Sequence, residues 1–487
     1  MSLIVALSLL LPAQPPTDRP TPAASPTPAD IVGALESVLA DAIARAEPSV
    51  IAIHRHKGTN PEETLAVRGR KRPAAPNDRD DFISFDYGSG VVIGDHGEIL
   101  TAFHVVQGAD RLRGCAVGGR TFEAEILAAD PRSDLAVIVP AVEPGTEAPK
   151  LRPIPIGDSS RLRKGSFLIA IGNQYNAARH DGSPSASWGI LSNFARKIEP
   201  EVDEDYPRSL RKPLILQNHP ILLQLDARLN LGMSGGAVVD RRGELVGLTT
   251  TAASPAGFDA LAGYAVPMDA LGRRIVETLR QGKEVEYGLL GVGPMPPESN
   301  RVGQVRRNTP AGQGLLQMGD EIIAIDGKPI HDFHSLILAV GLFSPGDTIR
   351  LKIRRGEQVL DRKLVLAKYP VEGAIATNRP APWRGLRVDY SSIVQSPRIG
   401  LDLEGSPLGV VVTEIEEGSP AAAAGLKKGL LILRAGDRPA TSPKAFAEAV
   451  AGLDGPVPLE TEMGVLTVGN GVEPDRPKPP AEHREDR

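Results

Sequence analysis

Short apolar runs separated by turn residues recur along the first half of the chain, and this pattern restricts its fold more than any other feature. Most runs have about four to eight residues, as β-strands do, and glycine, proline or aspartate lies beside them. The runs are GVVIG (90–94), EAEILAAD (123–130), DLAVIVP (134–140), FLIAIG (167–172), LLQLD (222–226), GAVVD (236–240) and LVGLTTT (245–251). Many short strands with few helices predict a β-barrel or a β-sandwich.

Two predicted helices enclose this β-rich region. The first begins at Asp30, whose carboxylate suits the N-cap position, and it places Leu35, Leu39 and Ile43 on one face before it ends near Pro48. The second covers residues 268–281. Residues 30–283 are therefore assigned to one mainly β domain.

A repeated segment follows the β-rich domain. The stretches TPAGQGLLQMGDEIIAIDGKPI (309–330) and SPAAAAGLKKGLLILRAGDRPA (419–440) share a proline, a glycine and a second proline at equal offsets. Two copies of one small module are therefore predicted. We place the first repeat at 284–369, a linker at 370–382 and the second repeat at 383–470. The Pro-rich, charged residues 471–487 are predicted to be a disordered tail.

Length and composition exclude several classes of function. A chain of 487 residues suggests about three domains. Its net charge of -5 gives no electrostatic case for a nucleic-acid partner. Because Cys115 is the single cysteine, the chain can form neither an internal disulfide nor a multi-cysteine metal site. We therefore expect no metal and no other cofactor.

The N-terminus has the character of an export signal. The stretch MSLIVALSLLLPA (1–13) is an apolar run of signal-peptide length, although no basic segment precedes it. It is too short for a comfortable membrane span. Residues 1–29 are interpreted as this segment and a Pro-rich linker, which predicts export to the periplasm or cell envelope, with membrane association at most through an uncleaved N-terminus.

The stretch LNLGMSGGAVVD (229–240) contains a serine among glycines and raises the question of a nucleophile. A serine hydroxyl needs a histidine base that a carboxylate orients. His104, in ILTAFHVVQGAD, and Asp134, just before a buried strand, are the candidates. Gly232, Met233 and Ser234 form the candidate oxyanion loop, in which the N–H groups of Gly232 and Ser234 are the expected donors.

Five motifs in this order resemble the HtrA/DegP family of chymotrypsin-fold serine proteases. They are GSG (88–90), TAFHVV (101–106), DPRSDLAVI (130–138), AIGN (170–173) and GMSGGAVVD (232–240). The resemblance implies a mainly β fold: a chymotrypsin-like double β-barrel followed by two PDZ domains, which are small, partly open α+β barrels. It implies the catalytic triad His104, Asp134 and Ser234, ATP-independent cleavage of unfolded or misfolded proteins in the cell envelope, and a homotrimer or higher homo-oligomer.

The same resemblance suggests residues outside the triad. Arg196 falls where family members carry a regulatory loop arginine. Arg228 and Leu229, six and five positions before the nucleophile, are expected near the primary pocket, where Leu229 would favour small or branched apolar side chains. The segment RHDGSPSASWG (179–189) is longer than the family pattern.

The first repeat is expected to bind peptide C-termini. In a PDZ domain, a peptide adds to a sheet edge and backbone N–H groups hold its carboxylate. The expected loop is Tyr287, Gly288, Leu289, Leu290 and Gly291. In the second repeat the corresponding stretch is WRGLRV (383–388), where Arg387 replaces the expected apolar residue. This departure argues against peptide binding by the second repeat, and a packing or assembly role is the alternative.

Two other functions use the same sequence. One is a PDZ-bearing chaperone or scaffold whose protease domain is inactive. The other is a protease that cuts one partner only after a peptide signal reaches the first repeat. Degradation of unfolded casein without an activating peptide separates a quality-control enzyme from both.

Overall fold

The computed structural model describes residues 26–56, 87–142, 145, 147–195, 221–250, 263–296, 299–306, 309–394 and 409–470. The signal-like run at 1–13, Arg196 and the predicted tail lie outside the described residues.

Six strands between residues 50 and 140 form the first barrel. They are β1 (Val50–His56), β2 (Tyr87–Val92), β3 (Ile99–Ala102), β4 (Arg111–Ala116), β5 (Arg120–Asp130) and β6 (Leu135–Pro140). Their order is β5-β4-β1-β2-β3-β6, and β5 also pairs with β6, so the sheet closes on itself.

Six further strands form a second, closed barrel. They are β7 (Phe167–Gly172), β8 (Ser185–Ala195), β9 (Leu222–Leu225), β10 (Ala237–Val239), β11 (Leu245–Thr249) and β12 (Gly263–Pro267), in the order β10-β11-β12-β9-β8-β7. The double-barrel prediction is confirmed. Strand β8 includes residues 185–189 of the segment that the sequence marked as unusually long.

Both faces of several strands are buried, which explains why their sequences are continuous apolar runs rather than alternating ones. In β7, Leu168 and Ala170 belong to the interior of the second barrel. Ile169 and Ile171 point the other way and pack with Leu135 and other residues of the first barrel. The two barrels therefore share an apolar core, which fixes their positions relative to each other.

Three helices accompany the barrels: α1 (Pro28–Ala46), α2 (Phe103–Val106) and α3 (Ala270–Arg280). Helix α3 lies within the predicted range. The predicted N-cap of α1 was wrong, because Thr27 caps the helix and Asp30 is its reciprocal partner three residues later. Pro28, which suits the first turn, extends the helix upstream. No helix of the described residues is both long and apolar enough to cross a membrane.

The first repeat contains eight strands and two helices. They are β13 (Gly288–Leu289), β14 (Val292–Pro294), β15 (Val302–Val305), β16 (Glu321–Ile325), β17 (Lys328–Pro329), β18 (Thr348–Arg355), β19 (Gln358–Val365), β20 (Ala367–Lys368), α4 (Pro310–Gln313) and α5 (Phe333–Gly341). Strands β17-β16-β18-β19 form one sheet, while β13 pairs with β20 and β14 with β15. This repeat has its own apolar core, which includes Ile322, Ile349 and Leu351.

The predicted linker is not a free spacer. Its residues Ile375–Ala376 form β21, which pairs with Ala129 and Ala128 of β5 and so adds a strand to the first barrel. The Thr377 hydroxyl donates to the Leu127 carbonyl at 2.9 Å. This strand could not be predicted, because two residues are too few to show a periodic pattern.

The second repeat has the succession of elements that the first repeat shows from β14 to β19, and its described residues include no counterparts of β13 and β20. Its elements are β22 (Leu386–Tyr390), β23 (Val410–Ile415), α6 (Pro420–Ala423), β24 (Leu431–Ala435), β25 (Arg438–Pro439), α7 (Pro443–Val450), β26 (Val457–Thr461) and β27 (Gly464–Val468). The repeated prolines Pro310 and Pro420 begin the equivalent helices α4 and α6.

One buried lysine joins the two repeats. The Lys368 ammonium lies 2.8 Å from Glu284, 3.2 Å from Glu286 and 2.8 Å from Asp389, which belongs to the second repeat. Burial alone would lower the pKa of Lys368, but the three carboxylates raise it. The lysine is therefore charged at neutral pH, and it ties the second repeat to the first.

Candidate active site

His104 and Asp134 meet at the edge of the first barrel. His104 lies on α2, directly after β3, and Asp134 lies directly before β6. The Asp134 carboxylate is 2.8 Å from His104 Nδ1 through Oδ2, and its Oδ1 accepts the backbone N–H of His104 at 3.0 Å. Because the pairing is double, ring and backbone of His104 are both fixed.

The charge of this pair follows from its surroundings. Asp134 is 2% exposed, and its Oδ2 also accepts the hydroxyl of Thr250 at 2.9 Å. Burial alone would raise the pKa of Asp134, but the His104 ring, the His104 N–H and the Thr250 hydroxyl together lower it. An ionised carboxylate is a pure acceptor, so it favours the proton on Nδ1 and leaves Nε2 of His104 free to act as a base.

Ser234 comes from the second barrel, in the turn before β10. Its carbonyl accepts the N–H of Ser89 at 2.8 Å, which ties it to β2. Strand β2 pairs with β3, the strand that leads into the helix of His104. Among the described residues no hydrogen bond joins the Ser234 hydroxyl to His104. Such bonds are often long in unliganded proteases and shorten when substrate binds.

Successive carbonyls of the oxyanion loop are tied down from outside. The Leu231 carbonyl accepts the N–H of Tyr175 at 2.8 Å, and the Gly232 carbonyl accepts the Ser89 hydroxyl at 2.7 Å. The Met233 carbonyl accepts the Gly236 N–H at 2.8 Å and also the hydroxyl of Thr249.

In a planar trans peptide the C=O and the N–H of the next residue point in opposite directions. Each carbonyl that is held in place therefore also sets the direction of the N–H that follows it. Within the described residues the N–H groups of Gly232 and Ser234 donate no hydrogen bond, whereas Met233 donates to Asn230 at 3.1 Å. Gly232 has φ +91°, a value that suits glycine. Gly232 and Ser234 therefore remain the candidate oxyanion donors, with Met233 between them.

The two predicted pocket residues point in different directions. Leu229 is 3% exposed and packs in the interior of the second barrel, against Gly263. Arg228 is exposed, and its carbonyl accepts the hydroxyl of Ser187 at 2.8 Å. Leu229 therefore belongs to the core of the second barrel, and Arg228 lies at its surface.

Fewer residues of the predicted peptide loop are available as hydrogen-bond donors than expected. The Gly288 N–H donates to the Phe343 carbonyl at 3.2 Å, and Leu289 lies in β13. Among the described residues, the N–H groups of Leu290 and Gly291 donate no hydrogen bond. These two remain as candidate donors for a peptide carboxylate.

Tyr287 does not belong to the open part of that loop, because it is 2% exposed and packs in the apolar core that the two barrels share. Its hydroxyl donates to the carboxylate of Asp130, four residues before Asp134. The guanidinium of Arg132 lies 4.4 Å from the centre of the Tyr287 ring and 3.9 Å from that of Tyr369. Burial raises the pKa of Asp130, while hydrogen bonds from Ser133 and Tyr287 oppose the rise.

Sequence reasoning missed this Asp130–Tyr287 contact. Asp130 lies within the quoted motif DPRSDLAVI, but it resembles a polar residue that ends a strand. Its partner lies 157 positions away in the chain, where no local pattern marks it. The contact joins the start of the peptide loop to the segment that carries Asp134.

Comparisons with known proteins identify the two kinds of domain. Residues 88–248 match the model of the trypsin-like peptidase domain, and residues 288–366 match that of the PDZ domain. A probable periplasmic serine endoprotease, DegP-like, from Pseudomonas fulva is 31% identical over 401 residues, which cover 78% of this chain and 77% of the relative. The periplasmic serine endoprotease DegP of Escherichia coli K12 is 31% identical over 364 residues, 72% and 68% of the two chains.

Solved structures give the same result. The HtrA-type protease AlgW with tripeptide is similar at 26% identity and a TM-score of 0.51, over 68% of this chain and 97% of that one.

Proposed function

The chain belongs to the family of DegP-like serine endoproteases, and on that premise we propose that it is an exported, ATP-independent endopeptidase that cleaves unfolded or misfolded proteins. The observation that carries the proposal is the His104–Asp134 pair together with a loop whose Gly232 and Ser234 N–H groups donate no hydrogen bond within the described residues. The relatives named above are periplasmic endoproteases, which supports export.

In the proposed reaction, Ser234 Oγ attacks the scissile carbonyl while His104 Nε2 takes its proton. Asp134 holds the ring and stabilises the imidazolium. The oxyanion accepts the N–H groups of Gly232 and Ser234. His104 then gives the proton to the leaving amine, and a water molecule, activated by the same ring, releases the acyl group from Ser234.

The test is labelling of the full chain by a fluorophosphonate probe, with casein digestion in parallel. We expect the parent to be labelled and to digest casein, and Ser234→Ala to lose both, with a fall of at least about 10³-fold in cleavage. Ser160→Ala, which removes an exposed hydroxyl, is the matched control and should behave as the parent. A folded parent that takes up no label, with or without an added peptide that has a free C-terminus, would leave only the chaperone or scaffold function.

Substrate choice is proposed from the pocket. The buried Leu229 supports a preference for small or branched apolar side chains, which unfolded proteins expose. The Arg228 carbonyl accepts the Ser187 hydroxyl, and we propose that this backbone contact shapes the pocket while the exposed side chain adds no charge to it. We also propose that Arg196 is a regulatory loop residue, and the family resemblance is the support for this role.

Self-association is proposed from the first helix. Ile31, Leu35 and Val38 of α1 are 59%, 38% and 41% exposed, so the outer half of an apolar face has no cover within the described residues. A homotrimer or higher homo-oligomer would cover it. The shared succession of elements supports a PDZ-like nature for the second repeat too.

A peptide-gated protease is the second candidate, and the Asp130–Tyr287 contact favours it. A peptide bound at Leu290 and Gly291 would lie three and four residues from Tyr287, which touches the segment before Asp134. Casein digestion with and without a peptide that has a free C-terminus separates the two. Equal rates indicate a constitutive enzyme, and a rate that depends on peptide indicates gating.

A further inference from the structure

We propose that Ser89 is a positioning residue that holds the oxyanion loop in its competent shape. The proposal rests on the proposed endopeptidase function, and it gives a task to the Gly88-Ser89-Gly90 motif, which the triad chemistry does not use. Ser89 lies on β2 in the first barrel and is fully buried. Its backbone and its side chain both contact the turn of the second barrel that carries Ser234.

The side chain of Ser89 forms two hydrogen bonds with a fixed direction. The N–H of Asn173 donates to Ser89 Oγ at 2.8 Å, and this N–H can only donate. The carbonyl of Gly232, 2.7 Å from Oγ, can only accept. The single hydroxyl proton therefore lies on the Gly232 side, and Ser89 links the oxyanion loop to the segment that begins at Asn173.

The backbone of Ser89 adds two further ties. Its N–H donates to the Ser234 carbonyl at 2.8 Å, and its carbonyl accepts the hydroxyl of Thr101 at 2.7 Å. These bonds hold Ser89 between the nucleophile and β3. The flanking residues must be small here, since a Cβ at Gly88 would lie 2.7 Å from Val105.

The segment that begins at Asn173 contributes the anchor for the first oxyanion donor. Tyr175 and Asn176 have φ values of 50° and 61°, so the chain turns sharply and brings the Tyr175 N–H to the Leu231 carbonyl. The Asn173 amide braces this turn, because its Oδ1 accepts the N–H of Ala178 at 3.0 Å. Ser89 holds the base of the same turn through the Asn173 N–H.

Ser89 therefore acts on two adjacent peptides of the loop. It fixes the Gly232 carbonyl directly, and it fixes the Leu231 carbonyl through the turn. The Gly232 N–H belongs to the peptide of the Leu231 carbonyl, so its direction depends on both ties. Without the hydroxyl, a buried carbonyl and a buried N–H lose their partners, and rotation of the loop peptides towards other partners would turn the donor out of line.

The experiment compares Ser89→Ala and Ser89→Cys with the parent in the full chain. Ser49→Ala is the matched control, because Ser49 is a buried hydroxyl beside β1 that has no hydrogen-bond partner among the described residues. We would measure kcat and KM on a peptide substrate, the pH profile of kcat/KM, and thermal unfolding of each variant.

We expect Ser89→Ala to lower kcat about 10- to 100-fold with KM within about twofold of the parent, since transition-state stabilisation is lost and ground-state binding is kept. The pH midpoint should not move, because the Ser89 hydroxyl does not touch His104 or Asp134. A thiol is a weak donor of similar size, so Ser89→Cys should lie between Ser89→Ala and the parent. Ser49→Ala should keep the parent kcat.

Three results would overturn the positioning role: a kcat for folded Ser89→Ala within twofold of an active parent, a Ser89→Cys kcat equal to that of the parent, or a shifted pH midpoint. If Ser89→Ala does not fold, the kcat of Ser89→Cys alone decides. A parent with no activity and no fluorophosphonate labelling is a different failure, because it removes the proposed function and the role of Ser89 with it.

Discussion

The two repeats share one backbone frame at the loop that receives a carboxylate in PDZ domains, but they use it differently. In the first repeat the Leu290 carbonyl accepts the N–H of Ala311 at 2.9 Å. In the second, the Arg384 carbonyl accepts the N–H of Ala421 at 3.2 Å, at the same place relative to the following helix. Leu290 and Arg384 are thus equivalent positions in two loops of the same shape.

The second loop is closed on itself. The N–H of Leu386 donates to the Trp383 carbonyl at 2.8 Å, and the Trp383 ring packs edge-on against Phe446 of α7, with ring centres 5.7 Å apart. The Arg384 guanidinium donates to the carbonyls of Leu453, Gly455, Val468 and Gly469 at 2.8–3.1 Å. In the second repeat, a loop of this shape therefore serves the internal cohesion of the repeat.

The largest expected effect follows from removing the Arg384 contacts that hold the second repeat together. Arg384→Leu gives the second repeat the residue of the first, and it removes a charged donor from four carbonyls. We expect the second repeat to lose about 2–4 kcal/mol of unfolding free energy, measured by hydrogen exchange of residues 409–470 in the full chain. Exchange in the first repeat is the internal control. Unchanged protection in 409–470 would show that the guanidinium is dispensable.

A smaller effect concerns ligand binding. Gly291→Ala and Gly385→Ala are a matched pair, because φ is 90° and 79° and a Cβ would overlap Thr309 and Ser419, respectively. Fluorescence anisotropy with a peptide that has a free C-terminus should show at least about tenfold weaker binding for Gly291→Ala, since the donor loop is displaced. Gly385→Ala should bind as the parent does. Equal losses in both variants would refute the assignment of binding to the first repeat.

The smallest expected effect concerns a second difference between the two repeats, the buried carboxylate of Asp320. Asp320 in the first repeat is buried and accepts Arg355 Nε at 2.7 Å, whereas the second repeat has Leu430 at this place. Burial alone would raise the pKa of Asp320, but hydrogen bonds from Arg355 and the Gln317 N–H lower it below 3.8. Because the folded-state pKa is the lower one, this stabilisation is present above about pH 4 and is lost as the pH falls through the folded-state pKa.

Asp320→Leu should therefore lower the Tm of the first repeat by a few degrees at pH 7. The difference from the parent should shrink as the pH falls below about 4. Calorimetry of the full chain between pH 7 and pH 3 measures both. A gap that stays constant with pH would mean that the carboxylate charge contributes nothing.

The parts of the molecule that the sequence predicted are those coded by continuous stretches. His104 and Asp134 lie at the ends of apolar runs, so their strands place them, and the glycine at 232 marks the turn that exposes two donors. The helix start was missed by three residues because Asp30 suits a cap equally well as a reciprocal partner. Strand β8 was missed because the polar stretch RHDGSP (179–184) leads into it and resembles a loop, and its neighbours β7 and β9 impose the extended form.

The parts that could not be predicted depend on residues far apart in the chain. Tyr287 has the sequence character of a peptide-loop residue, yet a carboxylate in the protease domain captures its hydroxyl. The prediction that Arg387 is the departure in the second loop was wrong, because Arg384 is the residue at the place of Leu290, and only the fold brings four carbonyls around it. Short polar segments of this kind are determined by tertiary contacts rather than by local preference.

The strand Ile375–Ala376 limits how far the chain can be shortened. It follows the first repeat, but it covers the edge of β5 at Ala128 and Ala129. A truncation at residue 369, where the first repeat was predicted to end, would strip that edge, and bare strand edges pair between molecules and aggregate. A shortened protein should therefore end after Asn378, whose N–H donates to the Gly282 carbonyl at 2.9 Å and fastens the strand.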